Sequence, residues 1–262
     1  MQQTSSTGRR LIWDLPTRVF HWALAGSFIG AYLLAEEDGA RTLHVMFGYT
    51  VAGLLAFRLL WGFVGSRHSR FSDFAFSPAA AVRYLRDLAG GRARDYEGHN
   101  PAASWGVYAL LLLAGATVVT GWLNYNAIGG KEAFEEVHET LANAWLAMVA
   151  VHLAGVVVGS LAHRRNLVAT MIDGHRRMAG DAGARGAGEV GAAGARPERG
   201  TRPGWAIGSA LLAAVAGFWA WSVTTGGGSL LAGAGGLAGE HERGDVAGLE
   251  RGAADEEDED QD

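Results

Sequence analysis

The sequence predicts an all-α integral membrane protein, a four-helix transmembrane bundle followed after a linker by a fifth, C-terminal transmembrane helix. Five apolar runs approach the roughly 20 helical residues needed to cross about 30 Å of hydrocarbon; they occupy residues 19–34, 43–64, 105–123, 141–161 and 205–223. Basic residues are sorted unevenly between the connections. Four of the nine histidines lie in or at the ends of the runs, where a polar side chain is costly and therefore informative.

Averages conceal this division. The 262 residues carry a formal charge of −5 and a mean hydropathy of +0.08, values of an ordinary water-soluble chain. Residues 239–262, however, hold eleven acidic and two basic side chains. The absence of cysteine excludes disulfides, thiolate metal sites, iron–sulfur clusters and covalently attached c-type haem, while leaving histidine-ligated cofactors open.

The first run follows Arg9 and Arg10 but has no small-residue cleavage pattern, and Asp14, Pro16, Arg18 and His21 precede or enter it. It is expected to be a retained helix, with Trp13, Phe20 and Trp22 at the headgroup level. The second run holds His44 and Arg58; Arg58 falls near its far end, where its charge is expected to snorkel to water. In the connection from 65 to 104, Ser77-Pro78 is an N-cap followed by proline, and Val82, Leu85 and Leu88 recur at helical spacing around Arg83 and Arg86. A short amphipathic helix over 78–89 follows, lying on the membrane face. The third run carries neither charge nor histidine. The fourth brings His138 and His152. The expected domains are a bundle over 1–178, a flexible Gly/Ala/Arg linker over 179–204, a fifth helix over 205–223, and a Gly-rich spacer with a disordered acidic tail over 224–262.

With five crossings, seventeen basic residues fall on the side of the N-terminus, and only Arg41, Lys131, Arg243 and Arg251 on the other. The positive-inside rule then predicts a cytoplasmic N-terminus and an external acidic tail. In this topology His21 and His152 share the inner depth, and His44 and His138 the outer one. The 14 residues between His138 and His152 amount to about 21 Å of rise and fall about 40° short of four whole turns, so both imidazoles leave one face of their helix. Two cross-helix histidine pairs at two depths are what two six-coordinate, non-covalent b-type haems require. Arg18 and Arg41 each precede a histidine by three residues, one turn toward the polar boundary, and are candidate partners for haem propionates. Gly26, Gly30, Gly48, Gly155 and Gly159 leave room beside a macrocycle. His163, beside Arg164 and Arg165 at the inner rim, is the main competing ligand and reads as a surface residue; His68, His99, His175 and His241 lie in loops or tails and are given no haem role.

Arg18-Val-Phe-His21-Trp22, His44-x-x-x-Gly48, Gly98-His99-Asn100-Pro101, Thr120-Gly121 and His138-Glu139 with His152 together resemble the bacterial cytochrome b561 family. Within it, they resemble the b-type cytochrome subunit of nickel–iron hydrogenases. The resemblance covers residues 9 to 178 and implies a four-helix di-haem cytochrome of the bacterial inner membrane, with axial ligands matching His21, His44, His138 and His152. It also implies electron exchange between membrane quinone and a periplasmic partner, either a hydrogenase-like subunit or another carrier. The acidic tail suits capture of a basic c-type cytochrome. No nucleic-acid partner is expected. A histidine-lined metal or proton transporter without haem is the alternative, and it lacks carboxylates in the spans to accompany the histidines.

Overall fold

Four helices begin at caps written into the sequence. In the computed structural model, which describes residues 9–37, 39–96, 98–129, 133–177 and 202–224, a short strand β1 (Arg9–Leu11) leads into α1 (Leu15–Leu33). Asp14 caps α1 by accepting from the Thr17 amide at 2.9 Å, with Pro16 in the first turn. α2 (Arg41–Val64) ends at Gly65 and is followed by two single 3₁₀ turns, Arg67–Ser69 and Phe71–Asp73. α3 (Pro78–Ala89) starts at Ser77, whose side chain accepts from the Ala80 amide. α4 (Pro101–Tyr125) starts at Asn100, which accepts from the Ala103 amide at 2.8 Å. α5 (Glu135–Ala162) is the longest helix, with 28 residues. A two-turn helix α6 (Leu167–Asp173), capped by Asn166, precedes strand β2 (His175–Arg177), and α7 (Arg202–Thr224) completes the described elements. The linker and acidic tail expected at 179–204 and 224–262 lie outside the described residues, apart from 202–204 and 224.

α1, α2, α4 and α5 enclose one core. Phe28, Val51, Leu55, Ala114 and Trp145 form its buried cluster, so every one of the four helices contributes. Phe28 and Trp145 are in ring contact at 4.4 Å. Outside that core the helices display large apolar side chains, among them Phe63, Leu112, Val151, Val157 and Leu161, as expected of helices whose outer solvent is lipid. Among the described residues, four helices are long and apolar enough to cross a membrane: Arg41–Val64, Pro101–Tyr125, Glu135–Ala162 and Gly204–Thr224. α1, counted as a span in the sequence, is outside that set. Pro16, Thr17, Arg18 and His21 crowd its first two turns and lower its apolar average.

One end of the bundle is tied together by polar contacts. β1 and β2 pair antiparallel, with Leu11 opposite His175. The amides of Ile12 and Trp13 both donate to the Gly174 carbonyl, at 2.9 and 3.2 Å. Arg18 donates to the Ile172 carbonyl, and the Trp22 indole to that of Met171. Asp95, just beyond α3, takes both Arg165 and Arg176. Asp14 also accepts from the Trp61 indole at 3.1 Å and from Ser69. The N-terminal segment, the 65–100 connection and the segment after α5 therefore share one end, and most of the described arginines lie there.

Gly174 closes α6 at φ 76°, and a Cβ there would meet the Trp13 carbonyl oxygen at 2.6 Å. Gly174→Ala is accordingly expected to cost about 1–3 kcal/mol, from the left-handed backbone together with the displaced β1–β2 clasp. A melting temperature in detergent equal to that of the parent would contradict this.

α7 lies against α1 and α2. Gly208 approaches Leu15 and Pro16 closely, while Trp219 contacts the Phe47 ring at 4.7 Å and donates its indole N–H to Thr50 at 3.2 Å. It thus runs beside α1 in the same direction.

Candidate functional site

The four histidines of the apolar runs meet in two pairs. Near the clasped end, His21 of α1 faces His152 of α5 with ring centroids 6.5 Å apart. Toward the opposite end, His44 of α2 faces His138 of α5 at 6.0 Å. Two metal–imidazole bonds of about 2 Å, plus about 1.2 Å from each nitrogen to its ring centre, add to roughly 6.4 Å. Both pairs therefore have the separation of two imidazoles sharing one metal atom. Among the described residues, no group of three or more His, Cys, Asp or Glu is placed to hold a bare metal ion. Pairs suit an iron whose four remaining ligands come from a macrocycle.

At the far pair the backbone selects the tautomer. His44 Nδ1 lies 2.8 Å from the Ala31 carbonyl, and His138 Nδ1 lies 2.9 Å from the Thr117 carbonyl. A carbonyl can only accept, so each Nδ1 carries the proton and each Nε2 keeps its lone pair, the arrangement of a metal-ligating histidine. α4 brings no histidine, yet it positions His138: Thr117 supplies that carbonyl, and the Thr120 hydroxyl sits 3.4 Å from Nδ1. Gly121 makes room for the ring, since a Cβ there would lie 2.7 Å from Cε1 and 2.9 Å from Nδ1 of His138. His21 differs, its Nδ1 being buried without a partner.

The glycines beside the histidines divide into two groups. A Cβ at Gly26, Gly48 or Gly155 meets no protein atom within 4 Å, so chain packing does not explain them. At Gly30 and Gly159 a Cβ would meet Phe47 and Leu167, which does. Arg18 is half-buried beneath Gly174, whereas Arg41 is exposed, with its guanidinium 6.0 Å from the Tyr125 ring centre.

Two residues have surroundings that the sequence does not reveal. Arg58 does not snorkel; it is 4% exposed, with its guanidinium 4.8 Å over the Phe71 ring. His99 lies on a loop as expected, but it is packed between Trp13 and Phe74 with its Nδ1 buried and unpartnered. Burial, reinforced by Arg58, His152 and His68, pushes the His99 pKa down to about 3. Both outcomes depend on aromatic residues contributed from distant positions, which no local pattern reveals.

No solved structure matches the chain. A probable Ni/Fe-hydrogenase B-type cytochrome subunit of Rhodobacter capsulatus is 26% identical over 65% of this chain and 82% of its own length. The like-named protein of Rhizobium leguminosarum bv. viciae is 23% identical over 63% and 87%, and that of Escherichia coli K12 is 24% identical over 48% and 64%. The family model described as prokaryotic cytochrome b561 matches residues 12–174. Those limits are the two residues joined by the Ile12–Gly174 hydrogen bond. The match thus takes in all four paired histidines within one clasped unit, and the chain belongs to the prokaryotic cytochrome b561 family, multi-pass membrane b-type cytochromes of electron transport.

Proposed function

We propose that the protein is a di-haem cytochrome that carries electrons across the bilayer between a periplasmic redox partner and the quinone pool. The observation that carries this reading is the pair of facing imidazoles at each of two depths. His21 and His152 would hold an inner haem b, and His44 and His138 an outer one. Each bound haem would supply a one-electron iron couple. The chain's part is to hold the imidazoles and exclude water. Ala31 and Thr117 fix the outer ligands by their carbonyls, and the apolar core separates the two levels. Arg18 and Arg41 are propionate partners at the two boundaries.

Five crossings are supported by parity. Ile12 and Trp13 are bonded to Gly174, so both segments lie on one side, and an even number of crossings separates them. α2, α4 and α5 make three, so α1 is the fourth despite its polar first turns. α7, running beside α1, is the fifth. The arginines gathered at the clasped end support a cytoplasmic location for it, and hence a periplasmic C-terminus. The hydrogenase named in the relatives makes a hydrogenase-like subunit the leading periplasmic donor, and the acidic tail keeps a basic c-type cytochrome as the other.

Purified protein is expected to bind about two haems b per chain, extractable without breaking a covalent bond. A preparation that folds in detergent yet shows no reducible haem spectrum would refute the proposal.

A further inference from the structure

Arg58 has no anion of its own. Among the described residues no carboxylate lies within ion-pair distance of it, and its Nη1 is buried without a hydrogen-bond partner. Asp14 is near enough to feel its charge, but that carboxylate already accepts from the Thr17 amide, the Trp61 indole and Ser69. Phe71 and Phe74 cover the guanidinium from the side of the 3₁₀ turns. A desolvated cation with a free N–H is strongly unfavourable unless an acceptor, best an anion, completes it.

Besides His21 Nδ1, two further orphaned nitrogens occur at the same end of the bundle. Arg18 Nε is buried and unpartnered, one helical turn before His21, and so is His99 Nδ1. His99 is buried and within electrostatic range of both Arg58 and His152, which keeps it a neutral hydrogen-bonding group. Three unsatisfied nitrogen groups on α1, on α2 and just ahead of α4 thus gather around the level of His21 and His152. Among the described residues the outer level has no counterpart, since Arg41 is exposed over Tyr125 and its charge is screened by water.

We infer that Arg58, together with Arg18 and His99 at the same end of the bundle, receives a propionate carboxylate of the inner haem, and that this buried charge raises the inner haem's reduction potential. The inference rests on the two-haem reading. A guanidinium held away from water favours the added electron far more than an exposed one, and it offers the carboxylate a paired donor geometry that an ammonium does not.

The test is a spectroelectrochemical titration of the full-length protein, in which the inner component is identified as the one missing from His152→Ala. Arg58→Met is expected to shift the inner redox equilibrium toward the oxidised form tenfold or more, about 59 mV for one electron, and to leave the outer component unchanged. Arg58→Lys is expected to restore most of the shift. Infrared redox-difference spectra with propionate-labelled haem should still show displaced carboxylate bands in Arg58→Lys. An inner titration in Arg58→Met equal to that of the parent overturns the inference. If Arg58→Met fails to retain the inner haem, the Arg58→Lys spectrum decides: displaced carboxylate bands support the contact, and unmoved bands overturn it. Protein that binds no haem in any form would instead overturn the two-haem reading.

Discussion

His152→Ala is expected to lower bound haem from about two per chain to about one, removing the inner component of the spectrum and sparing the outer one. The residue is the α5 partner of His21, and on the two-haem reading its loss would leave the inner iron with one protein ligand. Alanine is a stronger helix former than histidine, so α5 should persist through the change. The outer pair lies about 21 Å away along the same helix and draws its orientation from Ala31 and Thr117, neither of which touches the inner level. Haem quantitation together with reduced-minus-oxidised spectra provides the measurement. Retention of both haems would overturn the ligand assignment. Loss of both, with the helical circular dichroism intact, would mean that the two sites assemble as one unit.

Gly121→Val is expected to do the reverse, emptying the outer site and keeping the inner one. A Cβ at this position lies 2.7 Å from His138 Cε1, a distance that only displacement of the ring or the helix can relieve. Displacing the ring breaks the bond from Nδ1 to the Thr117 carbonyl, and with it the tautomer that leaves Nε2 free. Overpacking of this kind costs about 1–3 kcal/mol, and here the strain falls on a ligand. Gly121→Ala places the same Cβ but fewer atoms behind it, and should give partial occupancy. Two full haems with an unaltered spectrum in Gly121→Val would show that His138 does not depend on α4.

Ser77 made the start of α3 legible, and Asp14 and Asn100 carry the same signature at α1 and α4. Asp14, Ser77 and Asn100, each followed within two residues by proline, begin helices because side-chain acceptors and a missing N–H suit a first turn. The histidine pairs were legible from depth, because a helix of known rise and alternating direction fixes which residues share a level. The contribution of α4 could not be read in that way. His138 is oriented by a main-chain carbonyl of Thr117, and every residue carries a carbonyl. Arg58 was misjudged because a cation near a helix end normally reaches water. Phe71 and Phe74, which cover it, arrive through the folding-back of the 3₁₀ turns. The β1–β2 clasp joins segments more than 160 residues apart, with no local signal for either strand.

The aromatic contact between Phe28 and Trp145 has a consequence for energy conservation. Phe28 lies seven residues beyond His21, and Trp145 lies midway between His138 and His152, so their 4.4 Å contact sits between the two levels. Val51, Leu55 and Ala114 complete the plug. Electrons can tunnel through such a septum, whereas a proton needs a chain of water or hydrogen-bonding groups to follow. Charge that crosses between the cofactors would therefore cross alone, making each transfer electrogenic. Work of about 2.3 kcal/mol per elementary charge for each 100 mV of membrane potential would be done with or against the field, according to the direction of flow.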